Sequence, residues 1–470
     1  MANGTRFHPS RRVFLIGGLA AVGAGGAALM LGGKFRRAIA RYTQLGSFTA
    51  TPALPPEDPV RDRARIQVAQ GGTPAENVDA VLAGLGGIGT VVGTDDVVII
   101  KVSAQWWNQG MTNVAAVKRT IEHILEIPGW KGEIVVFENT HFHDPAKAEG
   151  DPSRGLTRAW THPSDRNVDV PGWTKLGDLI PHFARHGAPV SFVGLVDGGS
   201  SSLAGDPWFD PEHVHGTYGG DDRGPIARGD VRDGYHWDFE QVFRIRRSRV
   251  GHAQTPLTWP RFTSPRTGDV IDFRDGILRR EGGKLISTAR PLKFINMTTG
   301  NEHGSTGFTG ACKSPMGIVD MSAGALGTHP RVAGYQSVHY FGRTGRPEGE
   351  KDPTWRMAGP LAFWNNQVRK ADLYLTVAEW IAVTPESGYD ATDDMRHHAA
   401  CAVKAGQLVA GTDPVAIDAH CVRTIMSQHR GKYTAMMDLA NPDSKVSRFL
   451  RYFRQTAGWG TLDPALVTVV

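Results

Sequence analysis

The chain has 470 residues, of which 40% are hydrophobic and 21% charged, and this balance excludes wholesale disorder and allows a large buried core. Its formal net charge of +5 arises in residues 1–40, which contain six basic residues and no acidic one. The rest of the chain holds 46 basic and 47 acidic residues, whereas a surface that binds nucleic acid needs a basic excess on the folded part. No nucleic-acid partner is therefore expected.

Residues 10–15 read Ser-Arg-Arg-Val-Phe-Leu, and an apolar run rich in glycine and alanine follows them to about Gly33. This pattern resembles a twin-arginine export signal, which we assign to residues 1–40, rather than an ordinary membrane anchor. The resemblance implies the twin-arginine translocase as a partner and a periplasmic or extracytoplasmic location. Ala38-Ile39-Ala40 fits a cleavage site, but the apolar run is also long enough to span a bilayer. Membrane contact is expected only through an uncleaved segment.

The remaining chain predicts a short tether and one large domain. Residues 41–75 contain several prolines and predict an extended tether, and residues 76–470 predict a single α/β domain. Short apolar, β-branched runs predict buried strands, and residues 113–125 have helical spacing. The predicted strands cover residues 97–102, 134–138, 190–196, 292–297 and 373–377. The fold class is therefore α/β, with a doubly wound, Rossmann-like and mainly parallel sheet that carries a loop-rich insertion at about 145–290.

The cysteine content limits the cofactors. Cys312, Cys401 and Cys421 are the only cysteines, and no two of them form a C-x-x-C pair. No iron–sulfur cluster is therefore expected. Three separate buried thiols are favoured over a disulfide between Cys401 and Cys421.

Three separated stretches are similar to the family known as domain of unknown function 362. They are residues 98–101 with the helix that follows Thr112, residues 310–317 (Gly-Ala-Cys-Lys-Ser-Pro-Met-Gly) and residues 411–419 (Gly-Thr-Asp-Pro-Val-Ala-Ile-Asp-Ala). The likeness spans roughly residues 90–430. Family members usually continue the first lysine as Lys-Pro-Asn, whereas this chain reads Lys101-Val102-Ser103, and the cysteine-rich module of many members is missing. The resemblance therefore does not imply electron transfer, and it carries over no activity to this chain.

Ligands of open parallel sheets bind beyond the carboxyl ends of the strands, so residues that follow predicted strands are candidates for the site. Two lysines and one carboxylate are expected to form a catalytic group that holds a small anionic ligand. Nearby glycines and acids are expected to contact that ligand. The catalytic candidates are Lys101, Glu138 and Lys313, and the ligand-binding candidates are Asp197, Gly307, Gly310, Asp413 and Asp418. Asp413 is also expected to cap a helix, since Pro414 follows it.

A divalent metal is a further hypothesis for the same edge of the sheet. If their segment of the chain is extended, His141 and His143 project to the same side, where Asp144 or Glu138 is the expected oxygen donor and His303 or Glu302 the expected third ligand. The alternative is that these side chains only hydrogen-bond neighbouring loops. A second group, Asp206, Asp210, His213 and His215, is more typical of an ordinary polar loop.

Two functions remain open from the sequence. The first is an exported enzyme that depends on a metal or another cofactor of unknown identity and acts on a small anionic substrate. The second is a periplasmic ligand-binding or assembly factor without chemistry. The sequence contains no H-E-x-x-H helix, and its other motifs do not indicate a reaction type.

Overall fold

The structure is a computed structural model that describes residues 63–140, 158–196, 226–227, 231, 233–244, 254–304, 306–319, 354–383, 402–429 and 434–470. The strands are β1 (Ala64–Gln70), β2 (Val97–Lys101), β3 (Glu133–Thr140), β4 (Val190–Val196), β5 (Ile226–Ala227), β6 (Gly234–Arg244), β7 (Gln254–Thr263), β8 (Val270–Asp272), β9 (Gly276–Glu281), β10 (Lys284–Ser287), β11 (Leu292–Thr298), β12 (Asn301–His303), β13 (Gly307–Thr309), β14 (Leu373–Ala382), β15 (Ala402–Gly411) and β16 (Val467–Val469). The helices are α1 (Pro74–Gly84), α2 (Val114–Leu125), α3 (Arg158–Thr161), α4 (Leu179–Arg185), α5 (Thr354–Gln367), α6 (Pro414–His420), α7 (Thr434–Met437) and α8 (Lys445–Ala457).

A sheet of eight strands organises the fold, in the order β16-β1-β15-β14-β11-β2-β3-β4. Strands β4, β3, β2, β11 and β14 are parallel to one another. Strand β15 runs antiparallel to both of its neighbours, and β16 is parallel to β1. Seven strands therefore share one direction, which confirms the predicted α/β class with a mainly parallel sheet.

The five predicted strands of this sheet are all present, and the helix between the first two is also confirmed. Asn113 caps α2, because its side-chain oxygen accepts a hydrogen bond from the Ala116 amide at 3.1 Å. The apolar face of α2, which includes Val117 and Ile121, is buried against the sheet. Helical spacing of these residues in the sequence reflects that packing.

Both faces of the sheet are covered, so its strands are apolar on both sides. One face packs against α1, α2 and α4 through residues such as Val98 and Ile100. The other face carries Ile99 and Phe137 and packs against α5, α8 and a second sheet. Alternate residues of β2 therefore belong to different cores.

The second sheet corrects the predicted nature of the insertion. It has six strands in the order β10-β9-β8-β7-β6-β5, and it arises from residues that the sequence predicts as long loops with at most one hairpin. Phe262 of this sheet stacks on Phe137 of β3 with ring centroids 5.8 Å apart, and Phe273 lies 5.1 Å from the same ring. The prediction failed because the register of these strands comes from their pairing with one another, and because Pro256 and Pro260 lie inside β7, where prolines in a sequence favour a loop.

The amino-terminal part of the fold differs from the predicted tether. Residues 64–70 form β1, in which Ile66 is fully buried, and Thr73 caps α1 from within the range assigned to the tether. The β1 pairing with β15 supplies the burial, and this partner lies more than 300 residues away in the chain. A strand of this kind has no local signal beyond weak alternation. Residues 1–62, which include the predicted signal, lie outside the described residues.

Two further findings concern the described ranges alone. Within them, none of the helices has the length and apolar character that crossing a membrane requires. Cys312 and Cys421 are free thiols and both are buried, as the favoured interpretation states. Cys401 lies outside the described residues.

Candidate functional site

The strand order defines one crevice at the carboxyl edge of the sheet. From β2 the chain continues to β3 and β4 on one side, while β11 and β14 lie on the other side. Neighbouring loops therefore diverge at the boundary between β2 and β11. Such topological switch points are where open α/β sheets bind ligands, because the diverging loops leave a gap lined with polar groups. The residues at the carboxyl ends of β2 and β3 and in the loop after β11 form the candidate site.

Lys101 and Glu138 form a buried ion pair at this edge. Lys101 ends β2, and Glu138 lies near the end of β3, with Lys101 Nζ 3.2 Å from Glu138 Oε2. Their side chains are only 4% and 3% exposed. Gly317 leaves the space for the pair, because a Cβ atom at this position would lie 2.8 Å from Lys101 Nζ and would also overlap Glu138 Oε1. The structure thus brings together two of the three predicted catalytic residues.

Lys313 is the third charged residue of this group. It immediately precedes the 3₁₀ turn Ser314–Gly317, and its side chain is buried. Its charge lowers the pKa of Glu138, and the charge of Lys101 lowers the pKa of Lys313, so the three groups lie within electrostatic range of one another. We call Lys101, Glu138 and Lys313 the charged cluster.

Burial sets the protonation of the charged cluster. Desolvation raises the pKa of Glu138 to about 7, although Lys101 and Lys313 oppose this rise. Desolvation lowers the pKa of Lys313 to about 7, and repulsion from Lys101 adds to this effect while Glu138 opposes it. The pKa of Lys101 is also lowered by burial, against the attraction of Glu138. A carboxyl group and an amine of the same site therefore both titrate near neutral pH.

Asp418 fixes the loop that precedes Lys313. The buried carboxylate of this α6 residue accepts hydrogen bonds from the Ala311 amide at 2.7 Å and from the Cys312 amide at 2.9 Å. Gly310 is required beside it, because a Cβ atom there would lie 2.9 Å from Asp418 Cγ and closer still to Oδ1. Burial raises the pKa of Asp418 to about 7 even though both amides favour the ionised form. Asp418 thereby links α6 to the loop of Lys313.

Asp413 stabilises the start of α6, as the sequence predicts. Its Oδ1 accepts hydrogen bonds from the Val415 and Ala416 amides at 2.9 and 3.1 Å, and its Oδ2 accepts one from the Thr461 amide at 2.9 Å. The oxygens of Asp413 and Asp418 are thus engaged with backbone amides. Ligand contact by either residue stays a prediction.

Two buried asparagines hold the 3₁₀ turn against the strands. Asn139 of β3 donates hydrogen bonds through Nδ2 to the Met316 and Val319 carbonyls at 3.0 and 2.7 Å. Asn296 of β11 accepts a hydrogen bond from Ser314 Oγ at 2.7 Å through Oδ1. Asn296 and Gly317 were not predicted as site residues from the sequence. A glycine four residues after a candidate lysine is a signal for close approach, but its partner cannot be identified without the fold.

The remaining described candidates lie in the hairpin that precedes this loop. His303 is buried in β12 and is paired in register with Gly307 of β13. Gly307 has a φ of 79°, and a Cβ atom there would lie 2.6 Å from the Met436 carbonyl oxygen and 2.7 Å from the Val446 amide nitrogen. Its absent side chain thus allows close packing against α8 and the residues before it. A role of Gly307 in ligand binding stays a prediction.

The metal hypothesis rests mainly on residues outside the described ranges. These residues are His141, His143, Asp144, Asp206, Asp210, His213 and His215, and the predicted ligand-binding residue Asp197 is also outside. Among the residues that are described, no group of three or more histidine, cysteine, aspartate or glutamate side chains could hold a metal ion. The proposed ligand His303 therefore has no such group around it within the described part of the chain.

The fold and the charged cluster define the class: an α/β protein whose mainly parallel sheet carries buried, ionisable side chains at its topological switch point. The family model described as Domain of unknown function (DUF362) matches residues 288–423. This match confirms the resemblance over a range that contains Lys313, Asp413 and Asp418, while Lys101 and Glu138 precede it. No match was found among curated proteins or among solved structures.

Proposed function

We propose that this chain is an exported enzyme that binds a small anionic substrate at the charged cluster. The carrying observation is the burial of two lysines beside one carboxylate at the switch point of the sheet. When all three groups are ionised, the charged cluster has one positive charge in excess. An excess charge in a site of low dielectric is costly, and a bound anion removes that cost.

The protonation of the charged cluster favours catalysis over passive binding. Glu138 and Lys313 both have a pKa of about 7, so each group is present in its acidic and its basic form at neutral pH. General acid–base catalysis is most effective when the pKa of the group lies near the working pH. Perturbed groups of opposite charge that share one crevice are typical of active sites.

Binding of oxalate, measured by isothermal titration calorimetry, tests the anion site. We expect Lys101→Met to weaken binding at least about tenfold, because it removes a buried positive charge. Glu138→Gln should bind oxalate at least as tightly as the wild type, because it removes the competing carboxylate and keeps both lysines. Lys284→Met is the control, since Lys284 is an exposed lysine of β10. Absence of oxalate binding, or equal losses in both lysine variants, would refute the proposed site.

The metal requirement is tested by elemental analysis of protein purified after export. A stoichiometric metal that is lost on His143→Ala and kept on His215→Ala supports a metal-dependent enzyme. Protein that contains no metal, but binds oxalate at the charged cluster without converting any substrate, supports the ligand-binding or assembly factor instead. No metal in the wild type also removes both metal hypotheses.

Export is tested by replacing Arg11 and Arg12 together with lysine. Twin-arginine signals depend on the arginine pair itself rather than on charge, so the double variant should remain in the cytoplasm. The measurement is cell fractionation followed by immunodetection. Unchanged export of the double variant would contradict this route.

A further inference from the structure

The two lysines of the charged cluster differ in their partners. Lys101 has its ammonium 3.2 Å from a carboxylate oxygen of Glu138. Lys313 is more than nine-tenths buried, and among the described residues its side chain makes no hydrogen bond or ion pair. One lysine therefore has a counter-charge in contact, and the other does not.

An ammonium that is buried without a partner is unfavourable, and the protein avoids the cost when the group loses its proton. The lowered pKa of Lys313, about 7, agrees with this expectation. A neutral lysine amine in a desolvated site beside a second cation is a nucleophile for carbonyl carbon. Lys101 keeps its proton more readily, because Glu138 contacts it.

The backbone around Lys313 is held at several points. Asp418 fixes the two amides that precede it, and Ser314, which follows it, donates a hydrogen bond to Asn296. The Met316 amide also donates to the carbonyl oxygen of Lys313 at 3.0 Å. A fixed backbone reduces the entropy that must be lost when the amine and a bound carbonyl group meet.

We propose that Lys313 forms an imine with a 2-oxo acid whose carboxylate binds Lys101. This inference rests on the proposed anion site and specifies its substrate class. The two lysines then have different roles: Lys101 binds the anionic group as a cation, and Lys313 attacks the adjacent carbonyl carbon as a neutral amine.

The condensation balances without an oxidant or a reductant. The lone pair of Lys313 Nζ forms the new C–N bond, and the carbonyl π electrons move to oxygen, which takes a proton from the carboxylic acid form of Glu138. The attacking nitrogen returns a proton to the Glu138 carboxylate. The carbinolamine then loses its hydroxyl group with a proton from Glu138 as water, and the lone pair of nitrogen forms the C=N bond of a protonated imine. One amine, one ketone and the Glu138 proton become one iminium ion, one water and the Glu138 carboxylate.

Reductive trapping tests the imine. The full chain is incubated at pH 7 with pyruvate and cyanoborohydride, which delivers hydride to an imine and leaves a stable carboxyethyl group on the lysine. Peptide mass spectrometry then gives the modification rate at each lysine. At this pH a lysine with a pKa near 7 has roughly a thousandfold larger neutral fraction than an ordinary lysine. Allowing for restricted access, we expect Lys313 to react at least about tenfold faster than the exposed Lys284.

The controls separate this inference from the anion site. Lys313→Arg keeps a positive charge but no nucleophilic amine, so it should still bind oxalate and give no adduct at residue 313. Acetone, which has the ketone without the carboxylate, should modify Lys313 more slowly than pyruvate in the wild type, and Lys101→Met should remove this difference. Oxalate binding in the wild type without preferred modification of Lys313 overturns the imine alone. Absence of oxalate binding overturns the proposed function itself.

Discussion

Replacing Asp418 with asparagine should change stability by an amount that depends on pH. The two side chains have nearly the same shape, but asparagine offers one oxygen where aspartate offers two. One of the amides of Ala311 and Cys312 therefore loses its acceptor and faces the side-chain NH₂ group. An unsatisfied buried donor costs about 1–3 kcal/mol, and this is the expected loss at pH values where Asp418 is protonated and uncharged.

The pH dependence follows from the raised pKa of Asp418. In the fold this group ionises at about pH 7, whereas an aspartate in the unfolded chain ionises near pH 4. The fold therefore favours the protonated form of Asp418. Its contribution to the free energy of unfolding is fully present below pH 4 and is lost as the pH rises through 7. Three pH units correspond to about 4 kcal/mol. The loss of unfolding free energy in Asp418→Asn should therefore shrink from pH 4 to pH 8. At pH 8 the variant should be at least as stable as the wild type.

Urea unfolding followed by tryptophan fluorescence at several pH values measures this difference. Other buried groups titrate equally in both proteins, so subtraction isolates residue 418. Asp463→Asn is the control, because Asp463 caps an exposed 3₁₀ helix through the Ala465 amide and asparagine caps equally well. A difference between wild type and Asp418→Asn that stays constant from pH 4 to pH 8 would refute the assignment of a raised pKa to this carboxyl group.

Three further outcomes are expected. Gly317→Ala should lower oxalate affinity with a normal circular dichroism spectrum, because the new Cβ overlaps the ends of the Lys101 and Glu138 side chains and displaces them. Gly89→Ala should leave the affinity unchanged, because no atom lies within 4 Å of a Cβ there. Oxalate affinity should fall between pH 6 and pH 8, because Glu138 and Lys313, each with a pKa of about 7, lose protons over this range. Calorimetry in buffers of different ionisation enthalpy should therefore detect proton uptake when oxalate binds near neutral pH. Asn113→Ala should lower the free energy of unfolding by about 0.5–2 kcal/mol, because it leaves the Ala116 amide without its cap; no change in urea unfolding would contradict this role.

The parallel part of the sheet could be predicted because its strands are buried on both faces. Continuous apolar runs such as 97–100 need no partner to be recognised. The polar residues at the ends of these runs predicted that Lys101 and Glu138 would lie at one edge. Strand β1 could not be predicted, because its burial depends on β15 at the far end of the sequence. The six-stranded sheet was missed for a related reason, since its register comes from pairing between strands rather than from any local pattern.

The site shows the same division between local and non-local information. Residue types identified the charged groups, and the proline after Asp413 identified a helix cap. The sequence could not reveal that Asp418 fixes the loop of Lys313, since the two segments are about 100 residues apart. It could not reveal the role of Gly317 either, because the lack of a side chain is informative only when the neighbouring atoms are known.

The pairing of β1 also determines when this fold can be completed during synthesis. One edge of β1 pairs with β15, and the other pairs with β16, where the Val470 amide donates to the Ile66 carbonyl at 3.0 Å. The first described strand therefore has no partner until the ribosome has made nearly all of the chain, and its open edges can pair wrongly until then. The edge of the sheet that β1 and β16 form is therefore completed only after residues 467–470 have been synthesised.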